Sequence, residues 1–394
     1  MKLALLLGGK PVFKSPIYVT KPVLPSMEQF VERIKLIFKT GILTNSGPFS
    51  VELEKTITKY LGVSDCALLC NGTIALQLAL SSYRLSGEII TTPFTFPATV
   101  HVIALNQITP VFCDIDSDTY NIDVRQIENL ITTKTTAILP VHVYGVPCDV
   151  EAIDIIAKRH GLRVIYDAAP AFGVQYKGRS IGNFGDASMF SFHGTKIFST
   201  FEGGALVSSD DYFMQRVRIL RNFGIISETE VISLGINGKI NEIQCAFGLA
   251  TLDLIKDEIA KRKYLYNKYT NGLKNLPGLY FQKIPKDIEQ NYQYFSIRIN
   301  KEEYGLNRDE LTLVLREENI FPRKYYYPLC SQYPIYKGLP FSKPDILPVA
   351  TNVTENILCL PLYGILSPEI VDIIIEIIHQ AHKDRDKILK ILNK

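Results

Sequence analysis

Between Cys66 and Ser208 short runs of apolar and β-branched residues alternate with longer segments in which apolar positions recur at helical spacing. That alternation predicts a mostly parallel sheet covered by helices. The runs that predict strands are Cys66–Leu69, Glu88–Thr92, Thr109–Asp114, Thr136–Val141, Leu162–Asp167, Ser188–Ser191 and Gly204–Ser208. Several end in a polar or small residue followed by a turn, which is where open α/β sheets bind ligands.

Upstream, Ser26 and Gln29 read as a capping box opening a helix whose apolar face carries Met27, Phe30, Val31, Ile34 and Phe38. A loop over Gly41–Gly47 follows. Downstream, Asn241–Lys263 reads as one long helix, Tyr294–Ile299 as a strand, Arg308–Glu317 as a helix and Pro368–Ile388 as a closing helix. The pattern predicts a large unit over residues 1–255, including the N-terminal segment, and a smaller α+β unit over 256–394. No internal repeat or low-complexity segment interrupts it.

Composition narrows the classes. With 46% hydrophobic and 21% charged residues over 394 positions, the chain has enough apolar side chains for a sizeable core, which argues against disorder. The net charge of +3 is spread out, and the basic clusters at Lys261–Lys263 and Lys383–Lys394 fall on helical faces, so no nucleic-acid partner is expected. Seven cysteines without a Cys-x-x-Cys pair fit reduced thiols. The apolar run Leu3–Leu7 is too short for a signal-peptide core, and no stretch reaches the ~20 residues of a bilayer span, so the expectation is a soluble, cytoplasmic protein with no membrane partner. His379 and His382 lie three apart on a helix, but with no third ligand nearby they read as solvated helix residues rather than a metal site.

Four features could carry chemistry. Asp167 ends an apolar strand and precedes Ala168 and Ala169, which would let a flat ring approach the backbone; it could equally be a turn or helix-cap aspartate. Lys196 closes Ser191-Phe192-His193-Gly194-Thr195-Lys196 after another strand, so it lies in a turn. A partly buried lysine there would have a lowered pKa and could form a Schiff base, although most lysines are surface residues. Asn71-Gly72-Thr73 opens a helix, where backbone N–H groups make an anion site, and it is also an ordinary helix start. Phe96 follows a strand and could stack on a planar ring or simply belong to the core. A phosphate cradle, a stacking ring, an acid and an amine are together the contacts that pyridoxal 5'-phosphate (PLP) needs.

At these residues the chain resembles the DegT/DnrJ/StrS family of sugar aminotransferases, over nearly its whole length. The resemblance rests on Leu43-Thr44-Asn45-Ser46-Gly47-Pro48, Cys70-Asn71-Gly72-Thr73-Ile74-Ala75-Leu76, Pro140-Val141-His142-Val143-Tyr144-Gly145, Asp167-Ala168-Ala169, Gly235-Ile236-Asn237 and Leu360-Pro361-Leu362-Tyr363. Its most specific part is Ser191-Phe192-His193-x-Thr195-Lys196 with Glu202-Gly203-Gly204. It implies a fold-type-I PLP aminotransferase, an α/β architecture. Lys196 would hold the cofactor's aldehyde carbon, Asp167 pair with its ring nitrogen, Phe96 stack on the ring, and Gly72, Thr73 and Ser191 hold the phosphate. Asn237 would reach the phosphate of a neighbouring subunit, completing the site in a homodimer. Thr44, His142, Arg323 and Tyr325 would lie near the sugar-binding mouth.

Two residues depart from the family pattern: Pro170 stands where Gln or His is frequent, and Gly364 where Pro is commoner. Proline has no donor to offer the cofactor. The combination with Asp167-Ala168-Ala169-x-Ala171-Phe172-Gly173 and Arg221-Asn222-Phe223-Gly224 is most similar to the branch that aminates dTDP-4-keto-6-deoxy-D-glucose with L-glutamate, for surface polysaccharides such as O-antigen. Branches using 3-keto or UDP-linked sugars are the alternative. A dehydratase branch carries histidine at the lysine position, which Lys196 argues against. A silent homologue sensing a nucleotide sugar would lack the cofactor contacts.

Overall fold

The computed structural model describes residues 3–4 and 8–392. Helix α1 (Met27–Thr40) leads to α2 (Pro48–Leu61), then to a seven-stranded sheet: β1 (Asp65–Leu69), β2 (Glu88–Thr91), β3 (Thr109–Phe112), β4 (Thr135–Leu139), β5 (Arg163–Asp167), β6 (Ala187–Ser191) and β7 (Gly204–Ser208). Their order in space is β1-β7-β6-β5-β4-β2-β3. Within this sheet β7 is antiparallel to both neighbours and the remaining pairs are parallel.

Period-two alternation distributes the side chains. Cys66 and Leu68 of β1, with Ala205 and Val207 of β7, enter the core against α2, α5 (Val150–His160) and α7 (Glu242–Leu252). Their neighbours Ala67, Leu69 and Leu206 enter the opposite core, against α3 (Gly72–Ser82), α4 (Pro97–Leu105) and α6 (Asp211–Leu220). Burial on both faces is why these strands read as continuous apolar runs rather than as alternation. Every strand expected in this sheet is present, with ends displaced by one or two residues. β3 stops early because the Asp114 carboxylate turns to the backbone N–H groups of Val349 and Ala350, at 2.9 and 2.8 Å. β4 stops before Pro140, which has no N–H for a ladder.

The C-terminal part builds a second, antiparallel sheet from β8 (Leu279–Phe281), β9 (Phe295–Ile299) and β10 (Ile357–Leu360), in the order β8-β9-β10. It shares a core with α8 (Ile255–Leu273), α9 (Arg308–Glu317) and α10 (Pro368–Lys383). The N-terminal segment, expected with the large unit, packs here: Leu3 joins this core and Ile17 pairs with Ile320. Buried Glu318 ties it down, its carboxylate accepting from the backbone N–H groups of Ala4 and Val12.

Three helix expectations change. The helix expected over Asn241–Lys263 is two, because the chain turns at Asp253–Leu254, where Leu254 N–H bonds back only three residues to Thr251. The closing helix ends at Lys383; Asp384 then takes the side-chain amide of Gln380 and the ammonium of Lys387 at 2.7 Å, and a separate helix covers Arg385–Leu392. Ser26 Oγ does accept from Gln29 N–H at 3.2 Å, but the reciprocal half of the box is formed instead at Asn241 and Asn307. The apolar face of α1 is only partly used: Phe30 meets Phe247 edge-on, while Met27 and Phe38 are exposed. No helix among the described residues is long and apolar enough to cross a membrane, and all seven cysteines are unpaired.

Candidate active site

Strands β1, β5 and β6 all end at one edge of the large sheet, and a cavity of about 230 Å³ opens there. It brings together Gly72, Thr73, Phe96, Asp167, Ser191, Lys196 and Tyr325. All seven were expected at a site from the sequence.

Asp167 is the last residue of β5 and is buried. Its Oδ2 accepts from the Thr99 hydroxyl at 2.6 Å, and its Oδ1 accepts from the Ala169 N–H at 3.0 Å. Burial pushes this carboxyl up; the two donors and the charge of Lys196 pull it back. Lys196 follows the turn closed by its own N–H on His193 O at 2.9 Å. Burial brings its amine down to about 8, against the opposing pull of Asp167. Its Nζ lies 5.9 Å from the centroid of the Tyr294 ring.

Helix α3 starts at the same edge. Asn71 caps it, Oδ1 accepting from Ile74 N–H at 2.8 Å, which leaves the N–H groups of Gly72 and Thr73 at the open end. The start of the helix lies so close to β7 that a Cβ at Gly204 would fall 2.6 Å from the Asn71 carbonyl carbon, which accounts for the second glycine of Glu202-Gly203-Gly204. Phe96 precedes Pro97 at the first turn of α4, its ring exposed. Tyr294, Tyr325 and Tyr326 form an aromatic wall, with ring centroids 5.7 Å apart for Tyr294–Tyr325 and 5.6 Å for Tyr325–Tyr326.

Four expected residues lie outside the cavity. His142 is fully buried behind the end of β5, stacked on Tyr166 at 4.6 Å with Nδ1 accepting from Cys148 N–H, and burial lowers its pKa to about 3. It is a neutral packing residue rather than one at the mouth. Arg323 is exposed and bridges Cys359 through its backbone. Thr44 is exposed on the loop before α2, and Asn237 is exposed beside Asn222. His379 and His382 bond the carbonyls of Gly272 and Tyr304, at 2.8 and 2.7 Å.

Other lining or supporting residues escaped the sequence reading. Thr95, Met189, His193, Glu202, Tyr294 and Tyr326 line the cavity, and Thr99 holds Asp167. Thr95 and Thr99, four apart where a helix begins, were the available signal for an Asp partner. Of the Tyr325–Tyr327 run only Tyr325 was expected at the site; Tyr326 lines it as well. Pro170 lines the cavity without a donor, its carbonyl taken by Asn291 Nδ2 at 2.8 Å. Gly364, the other departure, donates its N–H to Glu258 Oε1 at 2.9 Å, which proline could not do, and a Cβ there would overlap that carboxylate.

A parallel sheet that presents a buried carboxylate, a turn lysine and a helix N-terminus at one edge defines an α/β enzyme suited to a phosphorylated aldehyde cofactor. The DegT/DnrJ/EryC1/StrS aminotransferase family model matches residues 26–379, and the chain belongs to that family. It is 46% identical over 358 residues to dTDP-4-amino-4,6-dideoxy-D-glucose transaminase of Escherichia coli, covering 90% of this chain and 96% of that protein. The structure of DesI in the presence of its TDP-sugar product superposes with a TM-score of 0.91 at 33% identity, over 96% of each chain. The PLP-form of Spr1654 from Streptococcus pneumoniae gives 0.85 at 26%, over 94% of this chain and 99% of that one.

Proposed function

We propose that this chain transfers the amino group of L-glutamate to dTDP-4-keto-6-deoxy-D-glucose, giving dTDP-4-amino-4,6-dideoxy-D-glucose, with PLP held at Lys196. The observation that carries the chemistry is the convergence of Asp167, Lys196 and the start of α3 on one cavity. The sugar follows from the similarity to the Escherichia coli transaminase. The residues fit the cofactor: a buried carboxylate oriented by two donors, an amine, hydroxyls on Thr73 and Ser191, and a Gly72 whose Cβ would press on Met189 and Ser191, at 3.0 and 3.2 Å.

When bound, PLP supplies an aldehyde that carries the amino group between donor and acceptor and a ring that withdraws electrons. Lys196 Nζ holds that aldehyde between turnovers. Released, it is a base that takes the proton from the donor's α-carbon and later returns one to the sugar carbon; with a pKa near 8, a useful fraction is neutral near neutrality. Asp167 keeps a proton on the ring nitrogen, and Thr99 and the Ala169 N–H keep Asp167 oriented for it. The N–H groups at the start of α3, with Thr73 and Ser191, bind the phosphate. Phe96 covers the ring and Tyr325 lies on the sugar side.

Asn237, Thr44 and the exposed apolar residues around them belong in this reading to a homodimer interface that completes each site. We place the enzyme in the cytoplasm, in aminosugar synthesis for surface polysaccharides such as O-antigen, and divide it at residue 255; the turn before α8 supports that boundary. Borohydride reduction with PLP followed by peptide mapping should label Lys196; a label elsewhere, or none, overturns the chemistry. Incubation with glutamate and a panel of 3-keto and 4-keto nucleotide sugars, with products identified by mass and NMR, should show amination of the dTDP-4-keto sugar. Amination of a 3-keto or UDP-linked sugar alone overturns the substrate.

A further inference from the structure

Lys196 belongs to the loop after β6, yet the loop is held from the C-terminal half of the chain. The segment Asn291–Tyr294, which leads into β9, runs beside it. Gln293, 1% exposed, uses both ends of its side-chain amide on the residues flanking the lysine: Nε2 donates to Thr195 O at 3.1 Å and Oε1 accepts from Ile197 N–H at 2.9 Å. It thus bonds this stretch as a neighbouring strand would, with Lys196 between the two bonds. Two residues earlier Asn291, also 1% exposed, does the same for the other wall, its Nδ2 donating to Pro170 O and Phe172 O at 2.8 and 3.0 Å and its Oδ1 accepting from Gln293 N–H at 3.1 Å.

Gln293 is anchored from behind. Its backbone oxygen accepts from Arg262 Nη1 at 3.4 Å; Arg262 is wholly buried and pairs with Glu258 at 2.6 Å, and Glu258 takes the Gly364 N–H. A buried ion pair is costly unless its geometry is fixed and its remaining hydrogen-bonding groups are largely satisfied. This one sits where it fixes the backbone that carries the Lys196 clamp.

We propose that Gln293 is a positioning residue for Lys196, directing its amine into the cavity through the paired bonds to Thr195 and Ile197, with the Glu258–Arg262 pair holding Gln293 in place. The inference rests on the reading of Lys196 as the cofactor-binding amine. Holding an amine within the span of a near-attack geometry is worth large factors in rate, and a displacement of about 1 Å costs on the order of a hundredfold.

The test compares the full-length wild type with Gln293→Leu and Gln293→Glu. A carboxylate at 293 can accept from Ile197 but cannot donate to Thr195; once protonated it restores both bonds, and burial raises the pH at which that happens. Gln293→Leu should lose about ten- to a hundredfold in kcat with KM for the donor changed by less than about threefold. Gln293→Glu should recover activity as pH falls, giving a kcat profile displaced to acid relative to wild type. Trapping with PLP and borohydride at graded pH, read by peptide mapping, should give wild-type labelling of Lys196 with a midpoint of about 8 and a displaced midpoint in both variants. Wild-type kcat and midpoint in Gln293→Leu, or an unshifted profile in Gln293→Glu, overturns the inference. If Gln293→Leu does not fold, Gln293→Glu decides alone. Absence of label on Lys196 in the wild type overturns the reading beneath it, a distinct result.

Discussion

The floor of the cavity and the surface segment over residues 223–234, outside it, are built on opposite principles. At the floor, Asp167 has a donor on each oxygen, and Lys196 is bracketed on both sides by Gln293. On that segment apolar side chains stand in solvent: Leu234 is 98% exposed, with Ile232, Val231, Phe223 and Ile226 exposed near it in sequence. Exposed apolar side chains gathered into a patch mark interaction sites. The floor is finished within one chain, and the homodimer proposed above would cover the second region.

Four experiments bear on that contrast. Lys196→Ala should keep the fold and lose the visible absorption of the bound cofactor together with at least about a thousandfold in turnover; normal turnover would place the chemistry elsewhere. Asp167→Asn, which leaves the shape and removes the charge, should cost on the order of a hundredfold in the single-turnover rate and weaken cofactor retention, and unchanged kinetics would deny the carboxylate its role. On the exposed segment, Ile232→Asp combined with Leu234→Asp should leave thermal unfolding of the isolated chain nearly unaltered while shifting sedimentation toward monomer. Activity should then fall about tenfold at nanomolar enzyme and recover as concentration rises. A fully active monomer would show that this segment contributes nothing to the site. The smallest effect belongs to Thr99→Val, which deletes one of the two donors to Asp167. One such bond is worth about 1 kcal/mol, or roughly fivefold in rate, and a pH profile identical to wild type would mean that the Ala169 N–H suffices.

Legibility in the sequence followed the range of the forces involved. Each strand of the large sheet was visible because local apolar runs and turns specify it, and α9 was read to its observed ends, where the structure shows Asn307 and Glu310 closing a complete capping box. The apolar stripe of α1 was visible too, but not that Met27 and Phe38 would face solvent in the single chain. The resemblance put His142 near the sugar-binding mouth; a ring stacked on Tyr166 and closed by Cys148 cannot be inferred from spacing. Asn291 and Gln293, polar residues ahead of a strand, carried no signal of their own.

The sequence by itself determined the strands of the large sheet and set Asp167 and Lys196 after two of them, because periodicity, caps and strand ends are local. Only the tertiary structure decided which distant groups serve them: Thr99 on Asp167, Gln293 astride Lys196, and Glu258 on the N–H of Gly364. Those partnerships arise because a buried polar group must find a hydrogen bond wherever the fold places one, and proximity across about a hundred residues of chain is a property of packing.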